Sequence, residues 1–179
     1  MTKTITIATG SVRPNSVGDK LLPLVKELLE ARDVTVQIAD MKELQLPFFD
    51  APVSPLDESF TIEHESVQRW QRLVTSSNGL IFITPEYNFQ MTPVQKNAID
   101  WLYKEWNKKP VATVAYGWTG GSKAADALQV LLETVAATPV AEKALLRFTQ
   151  EIAVDGEILD EAAVNERLEA TINKLLAAL

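Results

Sequence analysis

The sequence predicts an α/β domain, a five-stranded parallel sheet covered by helices on both faces. Five short β-rich apolar runs recur along its 179 residues, separated by longer segments with helical spacing, as parallel strands joined by helical crossovers require. The run at 80–84 is apolar at four of its five positions, which suits a central strand covered on both sides. With 46% hydrophobic residues the chain is long enough for a sizeable core and too short for a second full domain, so residues 1–179 are expected to fold as one unit.

Residues 4–9 form the first run. Residues 16–31 follow with Leu21, Leu22, Val25, Leu28 and Leu29 in one stripe, a helix opened by a Ser or Asn cap. Val34, Val36 and Ile38 alternate with polar residues up to Asp40, an edge strand buried mainly on one face. Pro47, Pro52 and Pro55, with Phe48 and Phe49, make 41–60 a long ordered loop, because proline at that density excludes a regular helix. Helical spacing resumes over 61–77 through Ile62, Val67, Trp70, Leu73 and Val74. Asn78-Gly79, a pair that tolerates positive φ, ends it. After the strand at 80–84 and a loop at 85–93, residues 94–108 read as a helix. Ile99, Leu102 and Tyr103 share one side of it, and Lys104, Lys108 and Lys109 lie near its C-terminal dipole. Residues 111–116 form the fourth strand, 117–122 a glycine-rich turn, 123–136 an Ala- and Leu-rich helix and 139–148 the fifth strand. Residues 160–179 close the chain as an amphipathic helix striped by Val164, Leu168, Ile172, Leu175 and Leu179.

Composition excludes several kinds of chemistry. The 17 Lys and Arg against 24 Asp and Glu leave a net charge of −7, so there is no polybasic footprint for nucleic acid or an anionic membrane. With no cysteine, there is no disulfide framework, zinc ribbon or thiol nucleophile, and any electron transfer must be carried by a cofactor. The single histidine, His64, is too few for a three-histidine metal site; between Glu63 and Glu65 it reads as a surface residue. The N-terminus carries neither the apolar core nor the cleavage site of a signal peptide, and no stretch approaches the roughly 20 apolar residues that cross a bilayer. A cytoplasmic protein without membrane insertion is expected.

Ligands of open parallel sheets bind outside the carboxyl ends of the strands, so the loops that follow the strands are where chemistry is sought. After the first strand comes Gly10-Ser11-Val12-Arg13-Pro14-Asn15-Ser16, and then a helix start at Val17. Backbone N–H groups of that helix start, the hydroxyls of Ser11 and Ser16 and the Arg13 guanidinium together describe a dianion site, and a phosphate fits it. The spacing is neither G-x-x-x-x-G-K-S/T nor G-x-G-x-x-G, which removes support for an ATPase and for the usual dinucleotide fold. On these residues alone an even alternative stands: Gly10 permits a turn, Ser16 or Asn15 caps the helix, and Arg13 is solvated.

After the third strand, Pro85-Glu86-Tyr87-Asn88 sets a proline and an aromatic beside hydrogen-bonding side chains, which suits a planar heteroaromatic ring. A plain turn with Tyr87 covering the core edge is the alternative. After the fourth, Gly117-Trp118-Thr119-Gly120-Gly121 lets the backbone approach a ligand closely, or is an ordinary flexible turn. In a sheet of order 2-1-3-4-5, strands one, three and four are adjacent, so the three loops share one edge and describe a mononucleotide with a planar head group.

These residues resemble the NADPH-dependent FMN reductase family of flavodoxin-like proteins, which also includes azo, quinone and chromate reductases. The resemblance spans residues 5–136. The family's Gly-Ser-x-Arg-x-x-Ser, which holds the FMN phosphate, is matched by Gly10 to Ser16, and its Pro-Glu-Tyr-Asn, which lies along the isoalloxazine and ribityl chain, by Pro85 to Asn88. Lys96-Asn97-Ala98-Ile99-Asp100-Trp101 is kept at the family's distance, whereas Thr92-Pro93 replaces a Pro-Gly pair and Gln95 a leucine. Gly117 to Lys123 is similar to Gly-x-x-Gly-Gly-x-Arg with lysine for arginine, so a bidentate contact made there by the arginine is lost.

The resemblance implies a flavodoxin-like three-layer sandwich of order 2-1-3-4-5 and bound FMN. It implies an oxidoreductase that takes a hydride from NADPH or NADH onto the flavin and reduces a quinone, azo, flavin or similar small-molecule acceptor by a ping-pong route. FMN supplies the hard chemistry, so no side chain is assigned a catalytic role, and Glu86 contributes mainly its backbone. Trp118 either flanks the ring or belongs to a core or interface. Family pairing of subunits around Trp101 and Trp106, with Trp and Tyr enriched at interfaces, points to a homodimer or homotetramer. The alternative from another class is an FMN-binding electron carrier or regulatory flavoprotein without its own nicotinamide site; a third is a structural protein of this fold that has lost FMN.

Overall fold

A computed structural model describes residues 2–179. Five strands, β1 (Lys3–Thr9), β2 (Val34–Asp40), β3 (Gly79–Pro85), β4 (Pro110–Gly117) and β5 (Thr138–Arg147), form one sheet of order β2-β1-β3-β4-β5 with every neighbouring pair parallel. The helices are α1 (Val17–Glu30), α2 (Met41–Leu44), α3 (Glu65–Ser76), α4 (Pro93–Asp100), α5 (Ser122–Thr134) and α6 (Glu161–Ala177). This is the flavodoxin-like arrangement that the sequence predicts.

Strand alternation explains why both faces are covered. Ile5, Ile7, Ile81, Ile83 and Val114 pack with α1 and α6, while Ala8, Leu80, Phe82 and Val111 pack with α3, α4 and α5. All seven residues of β3 are buried, whereas β2 at the edge buries only Val34 and Ala39. Each fully buried Ile, Leu or Phe contributes roughly 1.5–3 kcal/mol relative to exposure.

Several local expectations are corrected. The long loop begins with a short helix, α2, capped where the Asp40 carboxylate accepts the Lys42 N–H at 2.8 Å. From there the chain runs as a strap whose Pro47 carbonyl accepts from the Asn97 amide and the Trp101 indole, both at 2.8 Å. The next helix starts at Glu65 and not at residue 61, with His64 exposed at its N-cap. Its end uses no positive φ: Gly79 begins β3 because a Cβ there would lie 2.9 Å from Leu179 Cδ2 and 3.1 Å from the Pro110 carbonyl oxygen.

The largest departure is at 94–108, where the helix stops at Asp100. On a continued helix Trp101 and Trp106 would point about 140° apart, and only one indole could reach the core. The chain breaks instead into a 3₁₀ turn, Lys104–Trp106, that buries both and lets the Trp106 indole donate to the Ile99 carbonyl at 3.1 Å. The two tryptophans therefore lend no support to a subunit interface. The lysines do not end that helix either. Lys109 instead reaches the C-terminus of α3, donating to the carbonyls of Val74 at 3.0 Å and Ser77 at 2.5 Å. Among the described residues no helix is long and apolar enough to cross a membrane.

Candidate functional site

From β1 the sheet is built outward in both directions, to β2 on one side and to β3, β4 and β5 on the other, and a crevice opens at the carboxyl ends where the winding reverses. The loops after β1, β3 and β4 meet there around a cavity of about 300 Å³. Nine of the twelve candidate residues line it: Ser11, Arg13, Ser16 and Val17 from the first loop, Pro85, Glu86 and Tyr87 from the second, Gly117 and Trp118 from the third. Asn88, Gly120 and Gly121 lie outside the lining. A wider depression of about 800 Å³ runs along α3 past Arg69 and Arg72, toward the amino ends of the strands and away from all three loops.

The first loop leaves hydrogen-bond donors open. Ser16 is the N-cap of α1 in a capping box: its Oγ accepts the Asp19 N–H at 3.2 Å and the Asp19 carboxylate accepts the Ser16 N–H at 3.0 Å. Capping uses only a lone pair, so the Ser16 hydroxyl keeps its hydrogen for a ligand. Ser11 Oγ accepts the Arg13 N–H at 3.2 Å and lies 3.4 Å from the Tyr87 hydroxyl, which joins the first loop to the second. Among the described residues the Val17 N–H has no acceptor and the Arg13 guanidinium no carboxylate.

The second loop turns tightly. Tyr87 and Gln90 exchange backbone hydrogen bonds at 2.9 and 3.0 Å, with Asn88 and Phe89 both at positive φ. Asn88 is thus a turn residue, used for its tolerance of that conformation. Glu86 does more than contribute backbone. Its carboxylate accepts from Thr119 Oγ1 and the Lys123 N–H, both at 2.9 Å, and from the Ala124 N–H at 3.3 Å, capping α5 from a distance because Gly121 at the N-cap has no side chain to do so. Replacing Glu86 by alanine is expected to cost about 1–2 kcal/mol, the size of a lost cap, and to loosen the third loop; urea unfolding beside the Gln variant, which retains one acceptor, measures it.

Gly120 and Gly121, each with φ of 72°, build the turn that brings Gly117 and Trp118 to the cavity. Trp118 is 66% exposed and meets the Phe148 ring edge-on, centroids 5.6 Å apart.

The sequence reading missed five lining residues: Pro14, Asn15, Tyr116, Phe148 and Val154. Tyr116 was legible only as strand; its hydroxyl accepts the Gly18 N–H at 3.1 Å, and burial pushes its phenol well above the ordinary range. Phe148 and Val154 arrive from beyond β5 on a segment held by Glu151, whose carboxylate accepts the Arg147 N–H at 2.9 Å and pairs with Arg167 at 2.7 Å. Burial alone would raise the Glu151 carboxyl, but these donors outweigh it and hold it below the usual glutamate value. A depressed carboxylate adds stability above its unfolded value, and that stability is lost as pH falls from about 5 through the depressed value. Thermal unfolding of Glu151→Gln is accordingly expected to fall less steeply with acid over that window than that of the parent chain.

Comparison with known proteins agrees with this geometry. A family model described as NADPH-dependent FMN reductase matches residues 2–150. The NAD(P)H-dependent FMN reductase ntnL of Nectria sp is 36% identical over 174 residues, covering 93% of this chain and 86% of that protein. The NAD(P)H-dependent FMN reductase LOT6 of Saccharomyces cerevisiae is 33% identical over 139 residues, 70% of this chain and 71% of its own. Among solved structures, the flavoenzyme NAD(P)H:(acceptor) oxidoreductase FerB of Paracoccus denitrificans superposes with a TM-score of 0.76 at 25% identity, covering 98% of this chain and 97% of that one. The chain belongs to the NADPH-dependent FMN reductase family: it is an oxidoreductase of flavodoxin-like fold whose cofactors are FMN and NAD(P)H.

Proposed function

We propose that the cavity at the ends of β1, β3 and β4 seats FMN and that the protein reduces small-molecule acceptors there at the expense of NAD(P)H. The observation that carries this reading is that residues from three loops, far apart in sequence, line one cavity. The residues present fit the group. The free N–H of Val17, the unused hydroxyl hydrogen of Ser16, Ser11 Oγ and the unpaired Arg13 suit its phosphate. Pro85, Tyr87, Tyr116, Gly117 and Trp118 offer apolar faces with a few polar groups for its ring system. When bound, FMN supplies the hydride chemistry, taking reducing equivalents from NAD(P)H and releasing them to the acceptor.

The protein's own residues then bind, orient and shield. Glu86 and the Gly120-Gly121 turn hold the third loop against the second, the Ser11–Tyr87 contact holds the second against the first, and exposed Trp118 with Phe148 shapes one open entrance. An open entrance serves donor and acceptor in turn, a ping-pong order. Relatives named NADPH azoreductase and quinone reductase support quinones and azo compounds as the acceptor class. The yellow holoprotein is expected to bleach anaerobically on adding NADPH or NADH and to recolour with a quinone; a protein reduced by dithionite and by neither nicotinamide would overturn the enzyme reading in favour of an electron carrier.

Arg13→Ala is expected to weaken FMN binding by about 1–3 kcal/mol, the size of a charge-assisted contact, in a fluorescence titration. The same reading takes residues 1–179 as one FMN-binding domain that pairs as a homodimer or homotetramer. The exposed Phe48, Phe89 and Trp118 supply apolar surface for such pairing. Sedimentation showing only monomer at micromolar concentration would remove the oligomer.

A further inference from the structure

The helix start offered to the phosphate carries a negative charge of its own. Asp19 stands in the first turn of α1, and its Oδ2 accepts the N–H of Ser16, a residue of the cavity wall. A carboxylate there stabilises the empty helix end, yet it opposes a dianion approaching the same N–H groups. The same Oδ2 receives a second donor: Lys42 Nζ reaches it from α2 at 3.3 Å. Lys42 does not line the FMN cavity. It lines a separate one of about 290 Å³, shared with Val12, Met41, Gln45 and Asn97, in which it is the only charged residue among those described. Arg13, the cation of the loop itself, does not pair with Asp19.

We propose that Lys42 is a positioning residue for the FMN phosphate: by neutralising Asp19 it lets a helix start that bears a carboxylate receive a dianion, and so makes the protein select FMN over riboflavin, the same ring system without phosphate. This rests on the reading in which residues 10–16 hold the phosphate. With Lys42 and Asp19 both partly exposed, the pair adds little to folding stability. Its effect is on what binds next to it.

The test is titration of the apoprotein with FMN and with riboflavin, followed by flavin fluorescence, for the parent chain, Lys42→Met, Lys42→Gln, Lys42→Met with Asp19→Asn, and Arg13→Ala. In low-salt buffer Lys42→Met and Lys42→Gln are expected to weaken FMN about fivefold to tenfold and riboflavin less than about twofold, with the FMN loss shrinking as salt rises. Adding Asp19→Asn is expected to recover most of the FMN loss, because the uncompensated carboxylate is then gone. Equal losses for the two flavins would mean that Lys42 acts only by holding the first loop in shape, and would overturn the proposal. No loss with Lys42→Met and Lys42→Gln while Arg13→Ala weakens FMN alone would overturn it and leave the phosphate reading standing. If Arg13→Ala fails to separate FMN from riboflavin, the phosphate reading falls and this inference with it.

Discussion

Gly121→Ala is expected to lower stability by about 3 kcal/mol and to weaken FMN binding with it. Two costs add. Gly121 has φ of 72°, a conformation that any side chain makes unfavourable, and a Cβ there would stand 2.7 Å from the Tyr116 nitrogen and 2.8 Å from Ala115 Cβ. Those neighbours belong to β4, which is paired on both sides by β3 and β5, and cannot rotate away. The end of β4 must shift, and Tyr116 and Gly117 line the cavity. Gly120→Ala is the control: it shares the φ of 72°, but its closest neighbour would be Leu145 Cβ at 3.3 Å, so about 1 kcal/mol is expected. Urea unfolding of both variants, followed by FMN titration, measures the difference. Equal midpoints would show that φ alone governs the turn.

Trp106→Ala is expected to cost about 3–5 kcal/mol. The indole is fully buried, packs against Trp70 with centroids 6.0 Å apart and Phe82 at 6.3 Å, and donates to the Ile99 carbonyl. Its removal leaves a cavity and takes one of two donors from the Ile99 carbonyl, which keeps only the Leu102 N–H at 3.2 Å. Because the ring lies inside the subunit, the loss is expected to be the same at all protein concentrations. A cost that vanished on dilution would return Trp106 to a subunit interface.

The sequence-level errors have a common origin. The break after Asp100 follows from two indoles that both require burial and an acceptor, and those acceptors are Pro47 in the strap and Ile99 in α4 itself. Apolar spacing over 94–108 is compatible with a helix, and nothing local announces the competing contacts. Lys109 shows the same pattern. A cation near a helix end is a sound expectation, but the end it serves belongs to α3, which precedes it by some thirty residues of chain. Gly79 was legible as a special position, but for the wrong reason: the chain comes close to Leu179 and Pro110 there, and no positive φ is involved.

Features that repeat or cluster locally could be read from the chain alone. The alternation of β-rich runs with helical stripes specified five strands and their covering helices, and glycine, serine, proline and arginine after the first, third and fourth runs marked the loops that line the cavity. Which groups those loops share emerges from the folded chain. The Glu86 carboxylate caps α5, Lys42 answers Asp19, Tyr116 holds the Gly18 N–H, and Phe148 and Val154 close the cavity from beyond β5. The reason is physical: secondary structure answers to side-chain periods of two and 3.6 residues, which any short window displays. A carboxylate's choice of donor depends instead on which chain segments the crossovers bring within about 3 Å, and no spacing within one segment encodes that.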